Sequence, residues 1–437
     1  MELRVMRDRE KQALRYRWYI FLLFAVQYAL LFFHRVCPAV LAPELTKTFN
    51  ISGTALGVLA SGYFYPYALM QVPVGMLSDT WGARKTATLF GSVGGIGVIL
   101  FGLSPSFGLS VFARILVGLG VSAVFVPGMK VFAGWFRGRE YGKISGFFVG
   151  SGSIGWVMGA APLAMLVQAF DWREIMIAIG VLTIFLTVLT WFIVADTPEA
   201  KGFPALVEQR SASTVEDGPF QGIKQVFSDR YFWSLAFWFL TRTGIIFSFF
   251  GLWAGPYVMD VYKLSPMSAG TILSIFPFAI MAGSPFLGYL SDRVLVSRKL
   301  VLIGTSVLHA ACWLFLLSSY SSLSVPALYV LFFVMGIAAG SPGNVGYSNI
   351  KEVFPANIAG TSMGAVNLFA FFGGVVLQPV IGYVLDATGK IDGAYPPSAY
   401  RTAFIFFFVI SLISLVSVLF SRETLSRDGS AFDKIGR

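Results

Sequence analysis

The sequence predicts an all-α membrane protein in which twelve transmembrane helices form two six-helix repeats. Composition is the first reason: of 437 residues, 56% are hydrophobic and only 12% are charged, whereas soluble domains carry about 25% charged residues. Pattern is the second, because the apolar residues form long continuous runs, which favour helices over alternating strands. The third is an internal repeat, since two similar loop segments begin about half a chain apart, at Gly75 and Gly288.

Each of the twelve apolar runs is long enough to cross a bilayer, which takes about 20 helical residues. A polar segment follows the sixth run and divides the chain into an N-terminal half (1–195), a linker (196–230) and a C-terminal half (231–437). The predicted spans are 18–42, 54–77, 85–104, 109–136, 143–168, 174–195, 231–257, 266–290, 300–318, 325–350, 358–385 and 400–420.

Basic residues predict the orientation, because cytoplasmic loops of membrane proteins are enriched in Lys and Arg. They concentrate in the N-terminal tail and in the loops after spans two, four and eight, so we expect both termini in the cytoplasm. The charged tail of 17 residues and a full-length first run do not resemble a cleavable signal peptide. A bacterial inner membrane is the expected location. The loop residues are Arg84 and Lys85, Arg137, Arg139 and Lys143, and Arg293, Arg298 and Lys299.

The internal repeat consists of "GMLSDTWGARK" after span two and "GYLSDRVLVSRK" after span eight. Both have a Gly, an Asp four residues later and an Arg-Lys pair, and the second copy contains one extra residue before that pair. Duplicated halves are typical of secondary transporters, which hold their substrate near the bilayer midplane between the repeats.

The first copy resembles the loop signature of the major facilitator superfamily, and "RILVGLG", which starts at Arg114, is similar to that family's fourth-helix pattern. The resemblance implies that these loops control conformational change, with Asp79 and the following basic pair forming a cytoplasmic latch. A solvated polar turn is the structural alternative for a single copy. The residues assigned to gating by resemblance are Gly75, Asp79, Gly82, Arg84, Lys85, Asp292 and Arg114.

Among the cations inside predicted spans, three are candidate anion contacts: Arg35, Arg242 and Lys130. The 22 acidic residues all fall in tails, in loops or near span ends, so we expect no protein carboxylate as a partner for these cations. Because an intramembrane charge is costly and usually functional, the anion is expected to arrive with the substrate. Structural alternatives are a bond from Arg242 to a backbone carbonyl and snorkelling of Lys130 to the interface.

The segment "HRVCPAVLAP" is similar to the first helix of the organic-anion and organophosphate branches, which place an Arg eight residues before a Pro, as with Arg35 and Pro43. In those branches this Arg binds the substrate anion. "YALMQVPVG" resembles the second helix, with Tyr67 facing the cavity and Gln71 at a position that is often basic in phosphate carriers. A neutral Gln71 favours a mono- or dicarboxylate over a phosphate. Asn367 in span eleven is a further candidate polar contact.

Coupling to an ion is predicted from one residue. His34 adjoins Arg35 and could carry a proton, since imidazole titrates near neutral pH; a hydrogen-bonded core histidine is the structural alternative. Anion exchange, for example of phosphorylated or zwitterionic metabolites, needs no titrating side chain and stays open. Arg242 lies more than a turn nearer the cytoplasm than the family's seventh-helix arginine, which argues against a symmetric pair of arginines around the anion.

The residue pattern offers no enzyme site, cofactor motif or metal-ligand spacing, and we do not expect nucleic-acid binding from basic residues gathered on one membrane face. Cys37 and Cys312 both fall inside spans and are too few for a disulfide framework. We therefore expect a monomeric carrier that takes up a small organic anion by alternating access, coupled to protons. A non-transporting membrane sensor is the alternative class.

Overall fold

The structure, a computed structural model, describes residues 2–207, 219–355 and 358–425. The predicted linker therefore lies partly outside the described residues. Helices account for most of this chain, and they are α1 Glu2–Phe49, α2 Gly53–Ser61, α3 Phe64–Leu69, α4 Gln71–Thr80, α5 Ala83–Leu103, α6 Phe107–Val121, α7 Phe125–Trp135, α8 Gly138–Met158, α9 Ala161–Ala169, α10 Trp172–Ile193, α11 Pro219–Ser228, α12 Arg230–Ser248, α13 Ala254–Tyr262, α14 Pro266–Tyr289, α15 Arg298–Ser318, α16 Val325–Ala339, α17 Tyr347–Val353, α18 Ala359–Thr388 and α19 Pro397–Leu419.

Eleven helical segments of the described chain are long and apolar enough to cross a membrane. They correspond to all the predicted spans except the second, 54–77, which is present as the three successive helices α2, α3 and α4. Large apolar side chains such as Phe185 and Phe192 are exposed on α10, as expected for a surface that faces lipid rather than water. The predicted all-α membrane fold with twelve spans is therefore confirmed.

Several spans contain local departures from α-helical geometry. Five-residue π-helical turns occur at Phe249–Trp253, Leu290–Val294 and Pro342–Gly346. Such turns insert an extra residue into a helix and often occur at functional sites. The turn at Leu290–Val294 lies within the second copy of the loop repeat. That copy contains one residue more than the first before its Arg-Lys pair, and the π-helical turn lies next to this extra residue.

Contacts divide the chain into two compact units. The first contains Met1–Phe49 and Gly62–Ser213. Within it α5 packs against α6 and α10, and α1 packs against α8. Helix α1 extends well before the predicted start of span one, and its basic N-terminal part is tied down where Arg17 donates two hydrogen bonds, of 2.7 and 3.0 Å, to the Glu140 carboxylate.

The second unit contains Asn50–Ser61 and Thr214–Arg437. Within it α12 packs against α18 and α19, α14 against α16, and α2 against α18. Helices α2 and α18 approach so closely that a Cβ built at Gly57 would lie 2.5 Å from the carbonyl oxygen of Gln378. A side chain at position 57 would therefore separate the two helices, which explains why glycine occupies it.

Candidate functional site

Arg35 lies inside the first unit, in a box of aromatic side chains. Only 4% of its surface is exposed. Its guanidinium carbon lies 4.5 Å from the ring centroid of Phe32 and 4.7 Å from that of Tyr67, and its Nε donates to the Tyr63 hydroxyl at 3.3 Å. Aromatic faces attract a cation through their quadrupole, and more strongly where water is excluded. These aromatic groups orient the guanidinium.

The second span bends where it meets Arg35. Helix α2 ends at Ser61 and α3 begins at Phe64, so Tyr63 lies at the break and its ring stacks against Tyr67, with centroids 6.0 Å apart. The Tyr63 hydroxyl donates to the Leu31 carbonyl at 3.1 Å, which fixes the phenol beside α1. The break thus places a phenol and an aromatic face on the same cation.

Gln71 follows Tyr67 by one helical turn. Its Nε2 donates to the carbonyl of Tyr67 at 3.1 Å, and its side chain is partly exposed. The amide oxygen retains acceptor capacity, because a side-chain amide has both donors and an acceptor. This bond holds the Gln71 side chain beside the backbone of Tyr67, across the junction between α3 and α4.

A proline inside α1 explains a second buried arginine. Pro38 has no backbone N–H, so the carbonyl of His34, four residues earlier, lacks its helical donor. Arg114 Nη1 donates to that carbonyl at 3.0 Å, and the Cys37 thiol approaches it at 3.7 Å. Arg114, which the resemblance assigns to gating, therefore joins α6 to the weakened turn of α1 directly before Arg35.

His34 does not share the surroundings of its neighbour Arg35. Successive helical residues point about 100° apart, and His34 lines a small cavity together with Gln27, Thr183 and Thr187. It is 1% exposed, and neither ring nitrogen has a hydrogen-bond partner among the described residues. The structure thus places the two adjacent candidates in different environments.

Arg242 lies in the second unit and is fully buried. Its Nη2 donates to the backbone carbonyls of Thr305 at 3.2 Å and Ala338 at 2.9 Å. These bonds join α12 to α15 and α16, which is the structural alternative considered for this residue from the sequence. A role of Arg242 in substrate binding stays a prediction.

Lys130 corrects one expectation. Its Nζ lies 2.8 Å from Asp79 Oδ1 and 2.6 Å from the carbonyl of Ser78, so a protein carboxylate is available to this cation. The expectation that every interior cation lacks such a partner is therefore wrong for Lys130, because the end of α4 packs against α7 and brings Asp79 to it. Both side chains are substantially exposed, and a substrate role for Lys130 stays a prediction.

A comparison with protein families identifies the fold. The model of the Major Facilitator Superfamily matches residues 23–323 and 248–434. The chain belongs to the major facilitator superfamily. Among curated relatives of this superfamily, an uncharacterised transporter, YybO, of Bacillus subtilis (strain 168) is 28% identical over 404 residues, which cover 88% of this chain and 91% of the relative.

A second relative has a substrate in its name. The probable galactarate/D-glucarate transporter GarP of Escherichia coli (strain K12) is 24% identical over 418 residues, covering 89% of this chain and 92% of the relative.

Among solved structures, a bacterial homologue of the human lysosomal transporter Spinster has a TM-score of 0.74 at 17% identity, covering 92% of this chain and 96% of that chain. This structural likeness supports the superfamily fold.

The loop motif between α4 and α5 makes contacts that the resemblance to the superfamily did not predict. Asp79 pairs with Lys130, as described above. The guanidinium of Arg84 instead lies 4.9 Å from the Trp191 ring centroid, and the Lys85 ammonium lies 6.0 Å from that of Trp81. The carboxylate that caps α5 is Asp196, whose Oδ1 accepts from the Arg84 backbone N–H at 2.7 Å. Asp196 was missed because it follows the sixth span, far from the motif in sequence.

The two motif glycines differ in their surroundings. Gly82 has a φ of +104°, in a region that L side chains rarely adopt, so the turn before α5 requires glycine. Among the described residues, nothing lies within 4 Å of a Cβ built at Gly75. Backbone conformation therefore requires glycine at position 82, whereas no contact among the described residues explains the glycine at position 75.

The second copy of the motif is built on a different ion pair. Asp292 pairs with Arg298, and Arg298 also donates to both Glu352 carboxylate oxygens, at 2.9 and 3.3 Å. In the second copy the motif's own Asp292 and Arg298 therefore pair with each other. In the first copy Asp79 pairs instead with Lys130, which lies outside the motif. Asn367, the remaining candidate, accepts a hydrogen bond of 2.5 Å from the Tyr347 hydroxyl, which joins α17 to α18.

Proposed function

We propose that this protein is a secondary transporter that takes up a hydroxylated organic acid, of the sugar-acid type, by alternating access and together with a proton. The observation that carries the proposal is Arg35, a permanent cation buried among aromatic side chains within a transmembrane helix. The probable galactarate/D-glucarate transporter among the relatives supports a polyhydroxylated carboxylate as the anion.

The chemistry of the aromatic box fits such a substrate. A guanidinium presents parallel N–H donors that match the two oxygens of a carboxylate. Tyr63 accepts a hydrogen bond from the Nε of Arg35, which fixes the direction of the guanidinium plane. The Gln71 amide lies one turn from Tyr67 and offers a partner of the kind that sugar hydroxyls need. Arg35 thus selects the charge, and its polar neighbours select the hydroxylated skeleton.

His34 is the proposed proton carrier. It adjoins Arg35 in sequence and is a titrating side chain within the first span, and its ring nitrogens are not engaged by the described residues. Proton movement in the same direction as an anion offsets the anion's charge, which lowers the cost of carrying that charge across the membrane potential.

We also propose that the protein works as a monomer in a bacterial inner membrane, with both termini cytoplasmic. The distribution of loop Lys and Arg supports this orientation. In that orientation α2 begins at the outer face, and the loop motif between α4 and α5 faces the cytoplasm.

Transport by purified protein tests the proposal. Proteoliposomes receive radiolabelled galactarate outside, with an inward proton gradient imposed, and the neutral polyol galactitol is the control substrate. We expect galactarate uptake that a protonophore abolishes and that Arg35→Lys reduces strongly, since an ammonium cannot reproduce the bidentate geometry.

The outcomes separate the parts of the proposal. Uptake of galactitol at the rate of galactarate, or equal galactarate uptake by wild type and Arg35→Ala, would refute anion selection by Arg35. Arg35-dependent galactarate uptake that ignores the proton gradient would refute proton coupling and leave anion transport standing. Arg230→Ala, which removes an exposed arginine at the start of α12, is the matched control.

A further inference from the structure

A small cavity inside the first unit is not part of the Arg35 box. It lies among α1, α5, α6 and α10, and its volume is about 20 Å³. A cavity needs roughly 10–15 Å³ on the same measure to hold one water molecule. We name it the His34 cavity. Its lining residues are Gln27, Leu30, His34, Gly91, Gly94, Gly120, Val121, Val124, Thr183 and Thr187.

His34 is the group in this cavity that most needs a partner. The imidazole is 1% exposed, and both Nδ1 and Nε2 lack hydrogen-bond partners among the residues that the structure describes. A buried polar group without a partner is costly, so nearly all such groups are satisfied by protein or by ordered water. The imidazole therefore requires a ligand that the described protein atoms do not supply.

The opposite wall supplies oxygen atoms. The Thr183 and Thr187 hydroxyls lie one turn apart on α10, and each donates its proton to a carbonyl of its own helix at 2.8 Å. A hydroxyl that donates to a carbonyl still has oxygen lone pairs to offer. Gln27 adds a further polar group, held by a 2.7 Å bond from its Nε2 to the Thr190 hydroxyl.

The charge of these groups decides the class of ligand. Among the described residues no carboxylate lines the cavity, and the Arg114 guanidinium is bonded to the carbonyl of His34 itself, so a metal cation is disfavoured. The Thr183 and Thr187 hydroxyls already donate their protons to backbone carbonyls, so their oxygens would repel a small anion. A neutral molecule that both donates and accepts, and that is the size of water, fits the imidazole and the hydroxyls together.

We propose that the His34 cavity is an internal water-binding site, in which a water molecule bridges the His34 imidazole to the hydroxyls of Thr183 and Thr187. The site is separate from the Arg35 box and does not depend on the identity of the transported anion. Its link to proton movement rests on the proposed function, because a carrier imidazole must exchange its proton with a neighbour, and the bound water is that neighbour.

The proposal also explains a sequence pattern that carried no assignment. Thr183, Thr187 and Thr190 recur at intervals of four and three residues, which places them on one face of α10. That face meets Gln27 on α1. The threonines thus form a polar stripe on a helix whose other faces include exposed apolar residues, and the stripe is the wall of a hydrated site.

Hydroxyl-radical labelling by a brief X-ray pulse, read by mass spectrometry, detects bound internal water, because radicals form from water next to the side chain. Purified full-length protein in detergent provides two histidines for comparison. His309 is as buried as His34, but its Nε2 accepts from the Trp313 indole at 3.0 Å, so only its Nδ1 lacks a partner among the described residues, whereas both nitrogens of His34 do. We expect His34 to be oxidised several times faster than His309 in the same molecules.

The double variant Thr183→Val/Thr187→Val removes the hydroxyls and keeps the side-chain shape. Each lost hydrogen bond weakens binding by about fivefold, so for two lost bonds we expect His34 oxidation to fall by about 25-fold while His309 oxidation is unchanged. Thr243→Val, in the second unit, is the control for a threonine-to-valine change.

Two outcomes would overturn the proposal. One is oxidation of His34 no faster than that of His309 in wild type, a comparison that needs no variant to fold. The other is unchanged His34 oxidation in a double variant that retains its wild-type melting temperature. Both readouts are independent of transport, so a failure of the anion or proton proposals is distinguishable from a failure of this one.

Discussion

Asp386 near the end of α18 caps the N-terminus of α2, and its removal should loosen residues 50–61. The Asp386 carboxylate accepts from the backbone N–H groups of Gly53 at 2.8 Å and Thr54 at 2.7 Å, and from the Thr54 hydroxyl at 2.6 Å. The Tyr395 hydroxyl donates to it as well, at 2.5 Å. Free N–H groups in the first turn of a helix need such acceptors.

The magnitude follows from these bonds. Hydrogen bonds to a charged group each contribute about 1.5–3 kcal/mol, and losing a helix cap costs about 0.5–2 kcal/mol. These contributions are not independent, because water replaces part of what is lost. We therefore expect Asp386→Ala to reduce the stability of the docked segment by about 3 kcal/mol, which is more than a hundredfold in its opening equilibrium.

Thiol labelling measures that equilibrium. Leu56 lies in α2 and is buried, so a maleimide reacts with Leu56→Cys only when the segment opens. We expect Asp386→Ala to raise the labelling rate about a hundredfold. Asp392→Asn, which changes an exposed carboxylate in the same region, should leave it unchanged, and protein without the added cysteine reports any reaction of Cys37 and Cys312. A rate that Asp386→Ala changes by less than about twofold would refute the capping argument.

Three further predictions concern other contacts. Arg242→Met should lower the free energy of unfolding by about 2–4 kcal/mol, measured by chemical denaturation, because two buried carbonyls lose their donor; a loss below about 1 kcal/mol would contradict this. Lys130→Met should change the free energy of unfolding by less than about 1 kcal/mol, because exposed ion pairs such as that between Lys130 and Asp79 contribute little. A larger loss would show that this pair is structural. Hydrogen bonds from Arg17 hold the pKa of Glu140 below its ordinary value, so the pair stabilises the fold above that ordinary value and loses its effect as the pH falls through the lowered pKa. Melting temperatures from pH 7 to pH 3 should therefore fall less for Glu140→Gln than for wild type, and parallel curves would contradict the assignment.

Much of the fold was predictable because its signals are local. Continuous apolar runs predicted twelve spans, and eleven of them are long apolar helices in the described chain. The second span was not predicted to break, because a hydropathy average does not register the backbone change at Tyr63. The helical extension of α1 was also missed, since its stability comes from tertiary contacts such as Arg17 with Glu140.

The candidate site was predictable in part. Arg35 was recognised as a candidate because a cation within a span is visible in the sequence, and Tyr67 because its segment resembles the family's second helix; the structure brings the two together. The separation of His34 from Arg35 and the pairing of Lys130 with Asp79 depend on which helices pack together. The local sequence does not determine which helices pack together. The carboxylate caps Asp196 and Asp386 were missed for the same reason, since each caps a helix distant in sequence.

Ligand-induced stabilisation tests the central claim, that Arg35 binds the carboxylate of the substrate. A ligand at a hundred times its dissociation constant stabilises a protein by about 2.7 kcal/mol. The measurement is the melting temperature of purified wild type, Arg35→Ala and the control Arg230→Ala, each with galactarate, with galactitol and without ligand.

We expect galactarate to raise the melting temperature of wild type and of Arg230→Ala but not that of Arg35→Ala, and galactitol to raise none of the three. Arg35→Ala must itself melt cooperatively for its lack of response to count. Equal stabilisation of wild type and Arg35→Ala by galactarate, or stabilisation of wild type by galactitol as strong as by galactarate, would contradict the claim that Arg35 selects the anion.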